Sequence, residues 1–189
     1  MRVLIAEDEA LIRMDLREML EEEGHEVVGE ARDGAEAIAL ARTVKPDIVF
    51  LDVKMPNVDG IEAARTISAE SIAPVVMVTA FSQAGLVEEA ADAGAMAYVV
   101  KPFSRNDLVP AMQIAASRHA EMALLERQVD DLTERLETRK ALDRAKGILM
   151  AGGITEPEAF KRLQRLAMDK RMSLRDVAEA VITTEELKG

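Results

Sequence analysis

Four short apolar runs in the first half of the chain each end in side chains that can do metal or phosphoryl chemistry. Two carboxylates end the first run, a third carboxylate ends the second, a hydroxyl ends the third and an ammonium ends the fourth. Clustered carboxylates repel one another and need a cation, and an all-oxygen set of this kind suits Mg²⁺ with retained waters. The residues are Glu7 and Asp8 after Val3–Ala6, Asp52 after Ile48–Leu51, Thr79 after Val75–Val78, and Lys101 after Ala97–Val100.

These side chains together have what a phosphoryl-transfer site needs. A carboxylate beside Mg²⁺, such as Asp52, can act as a nucleophile toward a phosphoryl group. Lys101 would neutralise the phosphoryl oxygens together with the metal, and Thr79 would donate a hydrogen bond to one of them. Each residue alone has a simpler interpretation: Asp8 as a helix N-cap, Thr79 as a strand-end residue and Lys101 as a solvated cation. Their occurrence at four successive strand ends favours a shared site.

The four runs have the composition of strands that are buried on both faces of a parallel sheet. They are rich in Val and Ile, and they are continuous rather than alternating. A weaker strand is predicted over Glu26–Ala31, after a helix stop at Gly24. Helix-length segments with apolar residues three and four positions apart separate the strands. The pattern predicts a doubly wound α/β domain with a five-stranded parallel sheet, whose active crevice lies at the carboxyl ends of the strands.

The pattern after Phe103 is helical, and no further strand is predicted. A new apolar stripe begins at Leu142 and ends before Gly152, and two more helices follow with Thr155 and Ser173 as N-caps. The spacing predicts one continuous helix out of the α/β domain and then a three-helix unit. Before that unit, apolar residues recur with the 3-4-3-4 spacing of a heptad seam, at Met122, Leu125, Val129, Leu132 and Leu136.

Composition narrows the class of protein. The chain has 189 residues and no cysteine, which excludes disulfides, thiolate zinc sites and thiol catalysis. No segment approaches the ~20 apolar residues of a membrane span and none resembles a signal peptide, so we expect a cytoplasmic protein without a membrane partner. The net charge of −11 is uneven, because residues 1–118 carry 21 acidic against 11 basic residues and residues 139–175 carry 10 basic against 4 acidic. This asymmetry indicates either a C-terminal module with its own partner or an ordinary solvated helical surface.

Residues 1–117 resemble the receiver domains of two-component response regulators. The resemblance is carried by Glu7-Asp8-Glu9, the stretch from Asp52 to Gly60, Val78-Thr79-Ala80, and Tyr98 leading to Lys101-Pro102-Phe103. It implies a flavodoxin-like fold in which a sensor histidine kinase phosphorylates Asp52. It also implies that Asp8, Asp52 and the Lys54 carbonyl bind Mg²⁺, with Glu7 reaching the metal through water.

The receiver resemblance implies further roles at the same site. Thr79 and Tyr98 would form a switch pair that reports phosphorylation, whereas the plainer interpretation of Tyr98 is a buried core residue. A cis peptide is implied at Lys101-Pro102. Phe81 and Lys54 would lie beside the phosphoryl group, and the bulk of Phe81 predicts slow self-dephosphorylation.

The tail, from about Leu136 to Ile182, resembles the ANTAR family of transcription antitermination regulators. The matching segments are Arg139–Met150, Glu158–Leu163, Leu166–Met168 and Leu174–Ala178. The resemblance implies a coiled coil followed by three helices that bind paired hairpins in nascent RNA, and the heptad seam predicts a homodimer on phosphorylation. The residues expected to contact RNA are Arg139, Arg144, Lys146, Gly147, Arg162, Arg165 and Arg171.

Two residues of the tail keep alternatives open. Phe160 could stack on an RNA base, but its spacing from Ala159 and Leu163 favours a place in the core. Gly147 inside a helix costs ~1 kcal/mol relative to alanine, which a close approach of RNA or of a neighbouring helix would explain.

The output has rival interpretations. The last two helices superficially resemble a helix-turn-helix, so a DNA-binding regulator is the alternative function, and a bare dimerisation element is another. No catalytic cluster other than that around Asp52 is present in the sequence, so we do not expect an enzyme. The predicted domains are the receiver at 1–118, a coiled-coil linker at 119–138 and the ANTAR domain at 139–189.

Overall fold

The structure is a computed structural model that describes residues 1–80 and 84–187, without the side chains of Ala84, Leu86 and Val87. The chain divides into two compact units, Met1–Ala123 and Leu124–Gly189. Each unit is described by itself. None of the described helices has the length and apolar character needed to cross a membrane.

The first unit alternates strands and helices five times, as the apolar pattern predicts. Each strand lies within one or two residues of its predicted position. The strands are β1 (Arg2–Ala6), β2 (Glu26–Ala31), β3 (Ile48–Asp52), β4 (Val75–Ala80) and β5 (Ala97–Lys101), and the helices are α1 (Ala10–Glu22), α2 (Gly34–Val44), α3 (Gly60–Ala69), α4 (Ala84–Asp92) and the beginning of α5 (Arg105–Ala151).

The five strands form one parallel sheet in the order β2-β1-β3-β4-β5. This is the flavodoxin-like order of a doubly wound fold. The ladder continues one residue further than the apolar runs, because Asp52 pairs with Val78 and Thr79 pairs with Val100. The polar residues Asp52, Thr79 and Lys101 are therefore held by sheet hydrogen bonds rather than by loops.

Two apolar layers cover the sheet, one on each face. Leu4, Val49 and Leu51 pack with residues of α2, α3 and α4 on one side. Val3, Ile5 and Phe50 pack with residues of α1 and α5 on the other. Alternate residues of each strand thus enter opposite layers, which explains why the strands are apolar throughout.

The second unit contains the end of α5, α6 (Glu156–Lys170) and α7 (Leu174–Glu186). Thr155 and Ser173 are the N-caps of α6 and α7, and each forms a capping box. A small core of Ala145, Leu163, Ala167, Val177 and Ala178 joins the three helices. The helix α5 contains both the predicted heptad seam and the stripe that begins at Leu142, as expected for a continuous helix.

The core interpretation of Phe160 is wrong. Ala159 and Leu163 are fully buried, but Phe160 is 37% exposed. Successive helical residues are about 100° apart around the axis, so Phe160 lies beside the buried stripe of α6 rather than on it.

Candidate functional site

The predicted site residues of the first unit converge at the carboxyl edge of the sheet. Strands β1 and β3 are neighbours at the point where the strand order reverses, which is where ligands bind in open α/β sheets. Glu7 and Asp8 follow β1, and Asp52 ends β3. Ligand oxygens of these three carboxylates all lie within 4.8 Å of one another.

Lys101 bridges two of the carboxylates. Its Nζ atom is 2.7 Å from Glu7 Oε2 and 2.7 Å from Asp52 Oδ1. The contact to Glu7 is an ion pair without the alignment of a hydrogen bond, because Glu7 Oε2 has no hydrogen-bonded partner by geometry. The second oxygen of Asp52 accepts a hydrogen bond of 3.1 Å from the Lys54 backbone N–H. Asp52 is therefore held at both of its carboxylate oxygens.

Burial shapes the acidity of the cluster. Glu7 and Asp52 are 1% and 6% exposed, whereas Asp8 is exposed. Burial raises the pKa of both Glu7 and Asp52, against the lowering effect of the Lys101 ammonium. Burial alone would lower the pKa of Lys101, but the close contacts with the Asp52 and Glu7 carboxylates and their negative charges outweigh it and raise that pKa. The site thus favours a cation near the carboxylates.

The donor set fits a magnesium ion. Three carboxylates face one ammonium, so a divalent cation would balance the remaining charge. All the side-chain donors are oxygens, which is the preference of Mg²⁺. Asp8 is the exposed member of the group, and an ion that retains waters needs such an open side.

The remaining site residues are placed as follows. Thr79 is half-buried near the end of β4, and its hydroxyl donates to the Ala80 carbonyl at 3.3 Å. Tyr98 is 53% exposed on β5, so the interpretation of it as a buried core residue is wrong. The peptide between Lys101 and Pro102 is cis, as expected. Phe81 lies outside the described residues.

Gly60 is a site residue whose role the sequence reasoning missed. A Cβ atom at Gly60 would lie 1.9 Å from the backbone oxygen of Asp52 and 2.8 Å from its carbonyl carbon. The Gly60 N–H also donates to the Val53 carbonyl at 3.0 Å. The start of α3 therefore packs directly on the backbone that carries Asp52. The feature of the sequence that could have indicated this role is a glycine at the start of the helix that follows Asp52. Only a residue without a side chain lets α3 come this close to the Asp52 backbone.

Arg13 of α1 is a second such residue. Its guanidinium donates to the Glu7 backbone oxygen at 2.6 Å and pairs with Glu30 of β2 at 3.2 Å. It is mostly buried, at 11% side-chain exposure. Arg13 thereby ties the segment after β1 to α1 and β2. No pattern in the sequence distinguishes it from the other arginines of the chain.

In the second unit, the predicted RNA contacts fall into two groups. Arg139 and Arg165 are 83% and 86% exposed, with carboxylates no nearer than 4.0 and 3.9 Å in their i,i+4 pairs. Arg162 and Arg171 are also exposed. These four guanidiniums are available to a ligand at little cost, since exposed pairs of this kind are weak.

The other two basic residues are engaged within the unit. Arg144 pairs with Glu186 of α7 at 2.7 Å. Lys146 is only 18% exposed and lies 2.8 Å from both Asp143 and Glu156, which raises its pKa through these hydrogen bonds. Lys146 therefore connects α5 to the first turn of α6, which is a structural role.

Packing between helices does not explain why a glycine occupies position 147 in the interior of α5. A Cβ atom there would meet nothing within 4 Å. Of the two explanations that the sequence left open, the close approach of a neighbouring helix is therefore wrong within this unit.

Family comparisons agree with these two units. Residues 3–113 match the response regulator receiver domain, and residues 130–182 match the ANTAR domain. The chain is 62% identical over 184 residues to the transcriptional regulatory protein PdtaR of Mycobacterium tuberculosis, an alignment that covers 97% of this chain and 90% of that one. It is 40% identical over 112 residues to the chemotaxis protein CheY of Thermotoga maritima, covering 59% of this chain and 93% of that one.

Solved structures that resemble this chain include receiver domains. The signal receiver domain of the putative response regulator NarL from Mycobacterium tuberculosis has a TM-score of 0.59 and 31% identity, and covers 61% of this chain and 95% of that one. A CheX-CheY-BeF3-Mg²⁺ complex from Borrelia burgdorferi has a TM-score of 0.55 and 30% identity, and covers 58% of this chain and 84% of that one. The chain therefore belongs to the response regulators, as a transcriptional regulator in which an ANTAR domain follows a receiver domain.

Proposed function

We propose that a sensor histidine kinase phosphorylates Asp52 and that the phosphorylated protein prevents transcription termination by binding paired RNA hairpins in the cytoplasm. The observation that supports the first half is the geometry of Asp52. Its carboxylate is buried at a strand end, within contact of Lys101 and close to two further carboxylates.

The residues of the site have distinct roles in this proposal. An Asp52 oxygen attacks the phosphorus atom, and the bond from phosphorus to the kinase histidine nitrogen breaks. Lys101 is close enough to Asp52 Oδ1 to bind the incoming phosphoryl oxygens. Asp8, Asp52 and the Lys54 carbonyl would hold Mg²⁺, with Glu7 behind a water. The ion supplies positive charge at the phosphoryl oxygens when it is bound.

Phosphorylation would be reported by Thr79 and Tyr98. The Thr79 hydroxyl now donates to a neighbouring carbonyl over 3.3 Å, a long contact that a phosphoryl oxygen can replace. Tyr98, half exposed on the adjacent strand, would then move toward the space that Thr79 leaves. This is a local change with two discrete arrangements, as switching requires.

The comparisons support a role in transcription, and the resemblance of the tail to antitermination regulators favours RNA as the output ligand. ANTAR is the matched family, and the similar protein PdtaR is named a transcriptional regulator. We propose Arg139, Arg162, Arg165 and Arg171 as the principal phosphate contacts, because they are exposed in this unit. Gly147, with open space at its Cα, would let the RNA backbone approach α5. Arg144 and Lys146 could bind RNA phosphates only after leaving their carboxylate partners.

The nucleic acid that the protein binds distinguishes an RNA-binding antiterminator from a DNA-binding regulator. A phosphorylated antiterminator should bind RNA with paired stem-loops far better than duplex DNA of the same sequence, because unstacked loop bases and 2′-hydroxyls exist only in the RNA. The double variant Arg139→Gln, Arg162→Gln should reduce the slope of log affinity against log salt by about 1.5, since each lost phosphate contact releases about 0.7–0.9 fewer counterions. Filter binding at several salt concentrations measures both quantities.

The receiver variant Arg42→Gln is the matched control for that experiment. Arg42 pairs with Glu70 on the surface of the first unit, so its loss should leave RNA binding unchanged. Specific protection of a duplex operator, with no preference for RNA, would support the helix-turn-helix alternative instead. That alternative is based on the last two helices, α6 and α7, which are joined by a short connection at residues 171–173.

We also propose that residues 119–138 make a parallel homodimer on phosphorylation, between a receiver domain at 1–118 and an ANTAR domain at 139–189. The five seam residues of α5 are more than half exposed, although they are large and apolar. Their heptad spacing matches a coiled coil, which would bury them against a second copy. The seam is Met122, Leu125, Val129, Leu132 and Leu136.

The double variant Leu132→Ala, Leu136→Ala should be monomeric at micromolar concentration when phosphorylated. Each Leu→Ala change in a buried seam costs about 2–4 kcal/mol, and the seam has few layers to compensate. Light scattering of the phosphorylated proteins measures the difference. Leu124→Ala is the control, because Leu124 is 55% exposed but lies one position off the seam. Equal masses for the double variant and the parent would exclude this seam as the dimer contact.

A further inference from the structure

The second unit contains a groove between α5 and α6, and one of its lining residues is Arg139, a proposed phosphate contact. Its volume is about 610 Å³, within the range of small-ligand sites. Phe160, the single aromatic residue of the chain beyond position 103, forms part of its wall. The other lining residues are Asp131, Glu134, Arg135, Thr138, Arg139, Leu142, Asp143 and Lys146.

Apart from Arg139, the described lining of the groove has no cation that is free to bind a phosphate. Its three basic and three acidic side chains balance. They are largely paired with each other, with Arg135 2.9 Å from Asp131 and Lys146 2.8 Å from Asp143. A phosphate entering the groove would have to displace carboxylates from these cations. An uncharged ligand with both donors and acceptors would meet complementary groups without that cost.

We infer that this groove accepts one unpaired nucleobase of the bound RNA, stacked on the ring of Phe160. The inference rests on the proposed RNA binding and adds the site at which a base is held. A nucleobase is uncharged and flat, and it carries donors and acceptors on its edge, so it suits both Phe160 and the mixed charged rim. Aromatic side chains are the usual platforms for unstacked RNA bases.

The position of Phe160 supports this assignment over a packing role. Its neighbours Ala159 and Leu163 complete the core of the unit, so Phe160 contributes little to that core while remaining 37% exposed. Leu142, partly buried against the same core, adds apolar surface to the groove beside it.

The groove is also distinct from the dimer seam. The seam ends at Leu136, whereas Leu142 of the groove lies further along α5 and Phe160 lies on α6. A coiled coil that ends at Leu136 would leave Leu142 and Phe160 uncovered. The occupant of the groove is therefore the RNA ligand rather than a second copy of the chain.

The experiment uses the full-length phosphorylated protein and hairpin RNAs that it selects from a library with randomised loops. Each loop position of a selected RNA is replaced in turn by the fluorescent base 2-aminopurine. The parent protein should quench the fluorescence at one loop position, because stacking on an aromatic ring quenches this probe. Phe160→Leu should abolish that quenching and weaken binding about tenfold or more, as removal of a stacking platform does.

Two control variants and a salt titration test whether the effect of Phe160→Leu arises from lost stacking rather than from altered charge or folding. Phe160→Tyr keeps an aromatic face and should bind as the parent does, and Met168→Leu alters an 80% exposed residue of the same helix and should have no effect. The salt dependence of Phe160→Leu binding should match that of the parent, since a stacked base releases no counterions. Circular dichroism should show parental helix content for all three variants.

The outcomes distinguish the inference from the proposed function. If the parent selects no RNA, the proposed function fails and the groove site fails with it. If the parent binds RNA but Phe160→Leu binds equally well, or no loop position is quenched by the parent, RNA binding stands and the groove site is overturned. A change in mass of Phe160→Leu by light scattering would overturn it too, because the groove would then be a contact between copies.

Discussion

Asp52→Ala is expected to abolish phosphorylation while the protein remains folded. The methyl group cannot attack phosphorus, and the nearest other carboxylates, Glu7 and Asp8, follow a different strand. The fold should persist because the apolar layers on both faces of the sheet do not involve Asp52, and Lys101 keeps Glu7 as a partner at 2.7 Å. Incubation with acetyl phosphate and Mg²⁺, followed by a phosphate-affinity gel, measures the labelling, and the melting temperature reports the fold.

The controls for Asp52 test the nucleophile and the metal separately. Asp92→Asn removes an exposed carboxylate of α4 and should leave labelling unchanged. Chelation of Mg²⁺ with EDTA should stop labelling of the parent protein, because the carboxylate cluster then has no divalent cation. Undiminished labelling of Asp52→Ala would show that another residue is the nucleophile.

Gly60→Ala is expected to destabilise the receiver and impair phosphorylation at the same time. The added Cβ would lie 1.9 Å from the Asp52 backbone oxygen, so either α3 or the end of β3 must move. Overpacking typically costs about 1–3 kcal/mol, and a contact this close to backbone belongs at the upper end, which corresponds to a decrease in melting temperature of roughly 10 °C for a domain of this size. The displaced β3 end should also misplace the Asp52 carboxylate and slow labelling by acetyl phosphate.

Gly85→Ala is the matched control, because Gly85 is also a glycine near a helix start but a Cβ atom there meets nothing within 4 Å. It should leave labelling unchanged and should not lower the melting temperature, since alanine favours the helix more than glycine does. A Gly60→Ala protein with parental stability and labelling would contradict the close packing of α3 on Asp52.

The local pattern of residues was enough to predict the elements and the chemistry of this protein. Strands buried on both faces need continuous apolar runs, so β1, β3, β4 and β5 could be located within one or two residues. Parallel strands end at one edge, so the polar residues that end them could be assigned to one site. The caps at Thr155 and Ser173 are equally local, since a capping side chain bonds to backbone only a few residues away.

The tertiary structure decided which of these residues contact each other. Lys101 spans from β5 to Asp52 on β3, past the intervening β4, and no spacing in the sequence encodes that reach. Gly60 matters because α3 packs on the end of β3, and Phe160 is exposed because the core of the second unit is complete without it. Lys146 is held by Asp143 and Glu156, although by sequence it could not be distinguished from the exposed arginines. Side-chain partners depend on distances across several elements, and those distances are set by packing rather than by local periodicity.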